Sequence, residues 1–241
     1  MSDGNNHVVL IVGKPSSGKS TSLAWLNDPK NIVYLNSDLK DLPFRSKFLE
    51  VRLEDPEDAI AAVQEFEVHD TAHTCVVDTL TYLMNMYEQQ KVLTAVDSRQ
   101  AWQDYAKYYR SLLHEVKTGT KTYFVLAHTQ DIMNETDMVL ESKIPIKGAV
   151  GYTGAEADFT TILGAKRIST KEAKKWMKDN DLLTISDEEE EDGVKYVFQT
   201  RIDKKSLGEK MRSHMGLWKR SEKYINNDLN LVSQRLNEYY S

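Results

Sequence analysis

The string GKPSSGKS, Gly13 to Ser20, constrains this 241-residue chain more than any other stretch. It fits the pattern G-x-x-x-x-G-K-[ST]. It stands between an apolar, β-branched run at 7–12 (HVVLIV) and a short stretch with helical spacing at 21–27 that stops near Asp28 and Pro29. A buried strand, a glycine-bounded turn and a helix, in that order, are the context that turns this motif into a phosphate site. The glycines let backbone N–H groups turn inward around phosphate oxygens, and a helix N-terminus adds a favourable dipole. Gly13, Lys14, Pro15, Ser16, Ser17, Gly18, Lys19, Ser20 and Thr21 are the expected cradle. Lys19 reaches the β- and γ-phosphates, and Ser20 offers its hydroxyl to Mg²⁺. The bland alternative is a Gly/Ser-rich turn that binds nothing.

The rest of the chain supplies a frame for such a loop. Apolar runs at 31–36 (NIVYLN), 48–53, 74–77 and 123–127 (YFVLA) read as strands. Between them, helical spacing appears at 56–66 and from Leu80. It is cleanest where Trp102, Tyr105, Ala106, Tyr109, Leu112, Leu113 and Val116 recur at three- and four-residue steps. Strands alternating with helices predict an α/β fold with a central, mostly parallel sheet covered on both faces. After Gly148 the pattern changes. Strands at 159–163 and 195–201 flank a helix-like piece at 171–179, and these late strands predict a hairpin-like extension of the sheet. The acidic run DEEEED, Asp187–Asp192, reads as a solvated flexible loop at 186–193. The expectation is one domain over 1–223, with a helical tail at 224–241 that docks on it.

Three strand ends carry candidate chemistry, because ligands in open α/β sheets bind outside the carboxyl ends of the strands. TCVVD ends at Asp78, the expected second metal partner. Asp38, just past NIVYLN, is the candidate base for activating water, or else a turn-capping residue. YFVLA runs into His128, Thr129 and Gln130. Gln130 is the expected sensor of the γ-phosphate, and His128 is equally readable as structural. A lone Cys75 excludes an internal disulfide, and no apolar run approaches the roughly 20 residues that span a bilayer. A cytoplasmic setting without membrane contact follows as an expectation.

In this order, VVLIVGKPSSGKST, TCVVDTLTYL, WQDYAKYYRSLLHEV, YFVLAHTQD and YVFQTRIDKKSLGEK resemble the RecA-like P-loop ATPases. More narrowly, they resemble the compact phage-encoded members linked to single-strand annealing and recombination, over most of residues 7–215. The resemblance implies ATP and Mg²⁺ as cofactors and ATP hydrolysis stimulated by single-stranded DNA. It implies a catalytic acid at Asp38, a metal-binding aspartate at Asp78 and a nucleotide-sensing glutamine at Gln130. It also implies head-to-tail homo-oligomers with the nucleotide at the subunit interface, a host-cell cytoplasm, and a single-strand-binding protein as a further partner. Lys204 and Lys205 match the basic residues such proteins supply in trans, or are a solvated pair in a turn; Arg201 and Lys210 are weaker candidates. Two departures stand out. Asp38 is shorter than the family's glutamate, and 128–154 has no evident DNA-binding loop signature.

Charge placement bears on the partner. The chain has 31 basic and 37 acidic side chains, a net charge of −6. The run Asp187–Asp192 alone holds six of the acids, whereas 194–223 holds nine basic residues against three acidic. Interleaved with Tyr196, Phe198, Trp218 and Tyr224, that late segment fits a surface tracking single-stranded nucleic acid. A shielding role for the acidic run is a further reading. Two other functions share the loop: a nucleotide or small-molecule kinase, and a nucleotide-switched loader or adaptor with little hydrolysis. The absence of a guanine-reading NKxD-type motif leans towards ATP.

Overall fold

The computed structural model describes residues 4–135 and 138–241. Its centre is β1, Val8–Gly13, in which all six residues are buried. A strand covered on both faces reads as a continuous apolar run, and VVLIVG is one. Val8, Leu10 and Val12 enter the core on one face of the sheet, while Val9 and Ile11 enter a second core on the other.

The parallel strands β2 (Ile32–Asn36), β3 (Leu49–Arg52), β4 (Thr74–Asp78) and β5 (Thr122–His128) lie to one side of β1. A two-stranded sheet of β6 (Gln130–Asn134) and β7 (Val139–Lys143) follows β5. On the other side of β1 come β8 (Thr161–Ser169, parallel), β9 (Val194–Gln199) and β10 (Tyr224–Asn226), the last two antiparallel. The order across the eight-stranded sheet is β10-β9-β8-β1-β5-β4-β2-β3. The architecture is therefore the expected α/β one, with a mostly parallel sheet and antiparallel late strands. Because β5 lies between β1 and β4, its carboxyl end falls between the phosphate loop and Asp78.

Helices α1 (Asp58–Val68), α2 (Leu80–Tyr87) and α3 (Ser98–Thr118) contribute to the first core. The side chain of Asp97 caps α3 by accepting from Gln100 N at 3.0 Å. The helix buries Tyr105, Tyr109, Leu112, Leu113 and Val116 along the stripe the spacing predicts. Each such burial is worth about 1.5–3 kcal/mol before the entropy of ordering is subtracted. Three shorter helices follow: α4 (Gly148–Thr153), α5 (Thr170–Lys174) and α6 (Asp187–Asp192). The last, α7 (Leu229–Tyr240), places Leu229, Val232 and Leu236 in the second core. Among the described residues no helix is long and apolar enough to cross a membrane.

Four local expectations are corrected. The helix after the loop is a six-residue 3-10 turn, Ser20–Trp25. Ser22 Oγ donates to Lys19 O at 2.5 Å, and Pro29 leaves little length for an α-helix. The helix-like piece at 171–179 shrinks to α5, after which Asp179 takes a left-handed turn at φ 57°. The acidic run is not a flexible loop but the helix α6. Ser186 and Glu189 cap it reciprocally, and Gly193 ends it at φ 69°. Lastly, 224–226 belongs to the main sheet, so the tail leaves it only after β10.

Candidate functional site

The loop after β1 takes a shape that only its own residues allow. A Cβ on Gly13 would lie 2.7 Å from Ala165 O on the adjacent β8 and would also strike Ser17 Oγ. Gly18 has φ 92°, and a Cβ there would strike Asn227 Nδ2 and come 2.8 Å from the ring of Tyr196. Ser16 also takes a left-handed backbone, φ 59°. Ser17 Oγ is buried without a hydrogen-bond partner among the described residues. An orphaned hydroxyl inside a glycine-bounded turn fits a ligand rich in acceptors, and a phosphate is such a ligand.

Lys19 is 5% exposed, and its ammonium donates to Gly13 O at 2.9 Å and Lys14 O at 3.0 Å. His128 Nδ1, at the end of β5, lies 3.2 Å from the same nitrogen. Burial brings the Lys19 pKa down to about 8, against the pull of Asp78. Burial, and then the Lys19 charge, hold His128 down at about 4. The ring is therefore neutral at pH 7, and its Nδ1 accepts from Lys19. His128 N donates in turn to Thr81 Oγ1 on α2 at 3.0 Å.

Asp78 closes β4 and is 3% exposed. Its Oδ2 accepts from Ser20 Oγ at 2.8 Å and from Tyr34 OH at 3.1 Å. Burial raises its pKa, and the hydroxyl of Ser20 works against that shift. Loop and second acid, 58 residues apart in sequence, thus meet at one oxygen. Among the described residues no group of three or more His, Cys, Asp or Glu side chains gathers to hold a metal. One carboxylate and one hydroxyl suit Mg²⁺, which takes its remaining ligands from water and substrate phosphates.

A cleft of about 540 Å³ opens over Lys19, Ser20 and Asp78 and reaches Asp38, Tyr82 and His128. Asp38 is at its rim, accepting from Lys40 N at 3.1 Å, with Lys40 Nζ 3.5 Å from its carboxylate. Its turn-capping and rim positions coincide. Gln130 is placed differently from the expectation: it is exposed at the start of β6, opposite Lys143, and does not line this cleft. The residue between loop and Asp78 is His128. Lys204 and Lys205 are exposed in a turn and do not line the cleft either, nor does the exposed Arg201. Lys210 lines a second cavity of about 310 Å³ on the other flank of the loop, 3.8 Å from Glu141.

Three participants escaped the sequence reading. Tyr34 is one of five buried residues of β2, where nothing marks its hydroxyl for Asp78. Asp131 pairs with Lys14 of the loop at 2.6 Å, joining the loop to the β6–β7 hairpin, and also accepts from Ser142 Oγ at 2.7 Å. That hairpin occupies the segment that carried no signature. Asn227, whose Nδ2 donates to Gly18 O at 3.0 Å, lies 209 residues from it in sequence.

The basic late segment also changes character. Phe198, Trp218 and Tyr224 are buried and serve the core; only Tyr196 is exposed. Lys195 is buried against Glu189 at 2.7 Å, and Lys223 against Asp203 at 2.5 Å. Arg212 is spent on the carbonyls of Phe159, Glu156 and Ala157. Arg201, Lys204, Lys205, Lys219 and Arg220 remain exposed. The interleaved aromatic platform expected for nucleic acid is thus absent from this segment.

No protein-family model matches the chain, and no curated protein matches it. Among solved structures, the crystal structure of the RadB recombinase is similar at 15% identity, with a TM-score of 0.42. The match covers 68% of this chain and 77% of that one. At that degree of likeness, function rests on the geometry of the loop and Asp78.

Proposed function

We propose that this chain binds ATP with Mg²⁺ and hydrolyses it, as a RecA-like ATPase working on single-stranded DNA in recombination, annealing or repair. The observation that supports it most is the 2.8 Å hydrogen bond from Ser20 Oγ to Asp78, beside a buried Lys19. A hydroxyl, a carboxylate and an ammonium converge where a metal triphosphate needs them. Ser20 and Asp78 are the residues to hold Mg²⁺, which when bound neutralises charge on the β- and γ-phosphates. The loop from Gly13 to Thr21 orients the phosphates, and Lys19 supplies positive charge to them. Asp38, at the rim of the cleft and engaged by Lys40, is the acid to activate water there.

The exposed Arg201, Lys204, Lys205, Lys219 and Arg220 supply positive charge for a phosphate backbone, or for the nucleotide of a neighbouring copy in a head-to-tail oligomer. The test is the ATPase rate with and without single-stranded DNA across a salt series. A DNA-stimulated rate whose stimulation falls steeply with salt is expected. A rate indifferent to DNA at low salt would remove DNA from the reading and leave an ATPase or nucleotide-switched adaptor. Phosphoryl transfer to an acceptor other than water would replace it with a kinase.

A further inference from the structure

Resting on the nucleotide reading above, we infer that the exposed ring of Tyr196 is the surface on which the nucleotide's base stacks, and that Asn227 is the residue positioning it. The sheet order sets the direction. β4, with Asp78, lies two strands from β1 on one side, and β9, with Tyr196, lies two strands from it on the other. The metal and the terminal phosphates belong with Ser20 and Asp78. On this inference the nucleoside end of the same molecule would leave the loop away from that pair, towards β8 and β9.

On that flank Gly18 is bare, and the ring of Tyr196 fills the space a Cβ would occupy, its Cδ1 2.8 Å from that position. Asn227 closes the same corner: its Nδ2 holds Gly18 O at 3.0 Å. Asp228 beside it caps α7 through the N–H groups of Asn230 and Leu231. A core-anchored helix therefore fixes the loop at the point where the ring packs on it. Tyr196 is 40% exposed. An exposed aromatic face packed on the loop itself suits one planar base.

Tyr82, which lines the cleft on the metal side, is already engaged. It meets His128 edge-to-face at 5.5 Å and carries Lys40 over its ring at 5.0 Å. Tyr196 as part of a nucleic-acid track is the poorer fit. Successive bases need successive platforms, and Phe198, Trp218 and Tyr224 are buried. Its neighbour Lys195 is committed to Glu189.

The test is calorimetric titration of the full chain with Mg·ATP and, separately, with Mg²⁺ and inorganic tripolyphosphate. The variants are Tyr196→Ala and Tyr196→Phe. Tyr196→Ala is expected to weaken ATP about 10-fold, the scale of one lost base stack, while tripolyphosphate stays within about twofold. Tyr196→Phe keeps the ring and the affinity. Unchanged ATP affinity in Tyr196→Ala overturns the inference. So does a parallel loss of tripolyphosphate, which makes the ring a packing residue of the loop. If the unaltered chain binds neither ligand, the nucleotide reading itself falls and takes this one with it.

Discussion

The two halves of the sheet use charge in opposite ways. In the parallel half, β1 to β5, polar groups converge at the carboxyl ends and stay poised for a ligand: Lys19 on loop carbonyls, Asp78 on two hydroxyls. In the antiparallel half, around β9 and β10, they are consumed in holding the fold. Lys195 is buried on Glu189, Lys223 on Asp203, and Arg235 pairs with Glu222 at 2.8 Å. A residue count cannot distinguish these uses, because both are lysines beside carboxylates. What separates them is the kind of partner: Lys19 rests on neutral carbonyls and an imidazole, whereas Lys195 and Lys223 sit directly on carboxylates. The acidic run shows the point: Glu189 caps α6 and pairs with Lys195, and Glu190 pairs with Lys174 at 2.5 Å.

The sharpest way to break the comparison is to remove one charge from each half. Lys19→Ala is expected to weaken ATP binding and turnover by about 10²–10³-fold with little change in melting temperature. Glu189→Gln leaves buried Lys195 without its carboxylate, and its larger effect is on thermal stability, with ATP affinity unchanged. Equal effects on both readouts in both variants would erase the distinction. Asp78→Asn follows in size. Losing the metal carboxylate lowers turnover by about 100-fold and abolishes the benefit of Mg²⁺ in a titration of ATP against the metal.

A pH series sharpens the same contrast. Lys19 must be protonated to attract phosphate, and its pKa in the free protein is about 8. ATP affinity is therefore flat below about pH 7 and falls towards tenfold per pH unit above 8, which a titration in matched buffers reads directly. His128, held at about 4, stays neutral across that range and contributes no step; a ring titration between pH 5 and 8 by NMR would contradict this. The smallest effect belongs to Ser186→Ala. Loss of its cap costs about 1 kcal/mol, or about 2–4 °C in melting temperature, with ATP affinity intact.

How much was legible beforehand follows the same division. VVLIVG, IVYLN and TCVVD are buried on both faces, so apolar runs announce them, and a loop motif between two such elements needs no tertiary information. That Asp78 ends β4 was legible for the same reason, as the first charge after a buried run. Contacts between distant residues were not. Tyr34 reaches Asp78 across 44 residues and Asn227 reaches Gly18 across 209, and no periodicity encodes either. Gln130 was misplaced because the chain turns into the β6–β7 hairpin two residues after His128, carrying the amide to an exposed strand. The aromatic residues of the late segment misled because packing against the rest of the fold, which neighbouring lysines do not reveal, decides which are buried: Tyr196 and Phe198 share one face of β9, yet only Phe198 lies in the second core.

The account depends on Ser20 and Asp78 forming one metal-triphosphate site with Lys19. Calorimetric titration of ATP into the full chain, with Mg²⁺ and with EDTA, tests that directly. The predicted result is one ATP per chain, bound at least about tenfold more tightly with Mg²⁺ than with EDTA, and a difference that vanishes in Asp78→Asn. No binding of ATP, or binding indifferent to both Mg²⁺ and Asp78, would contradict it.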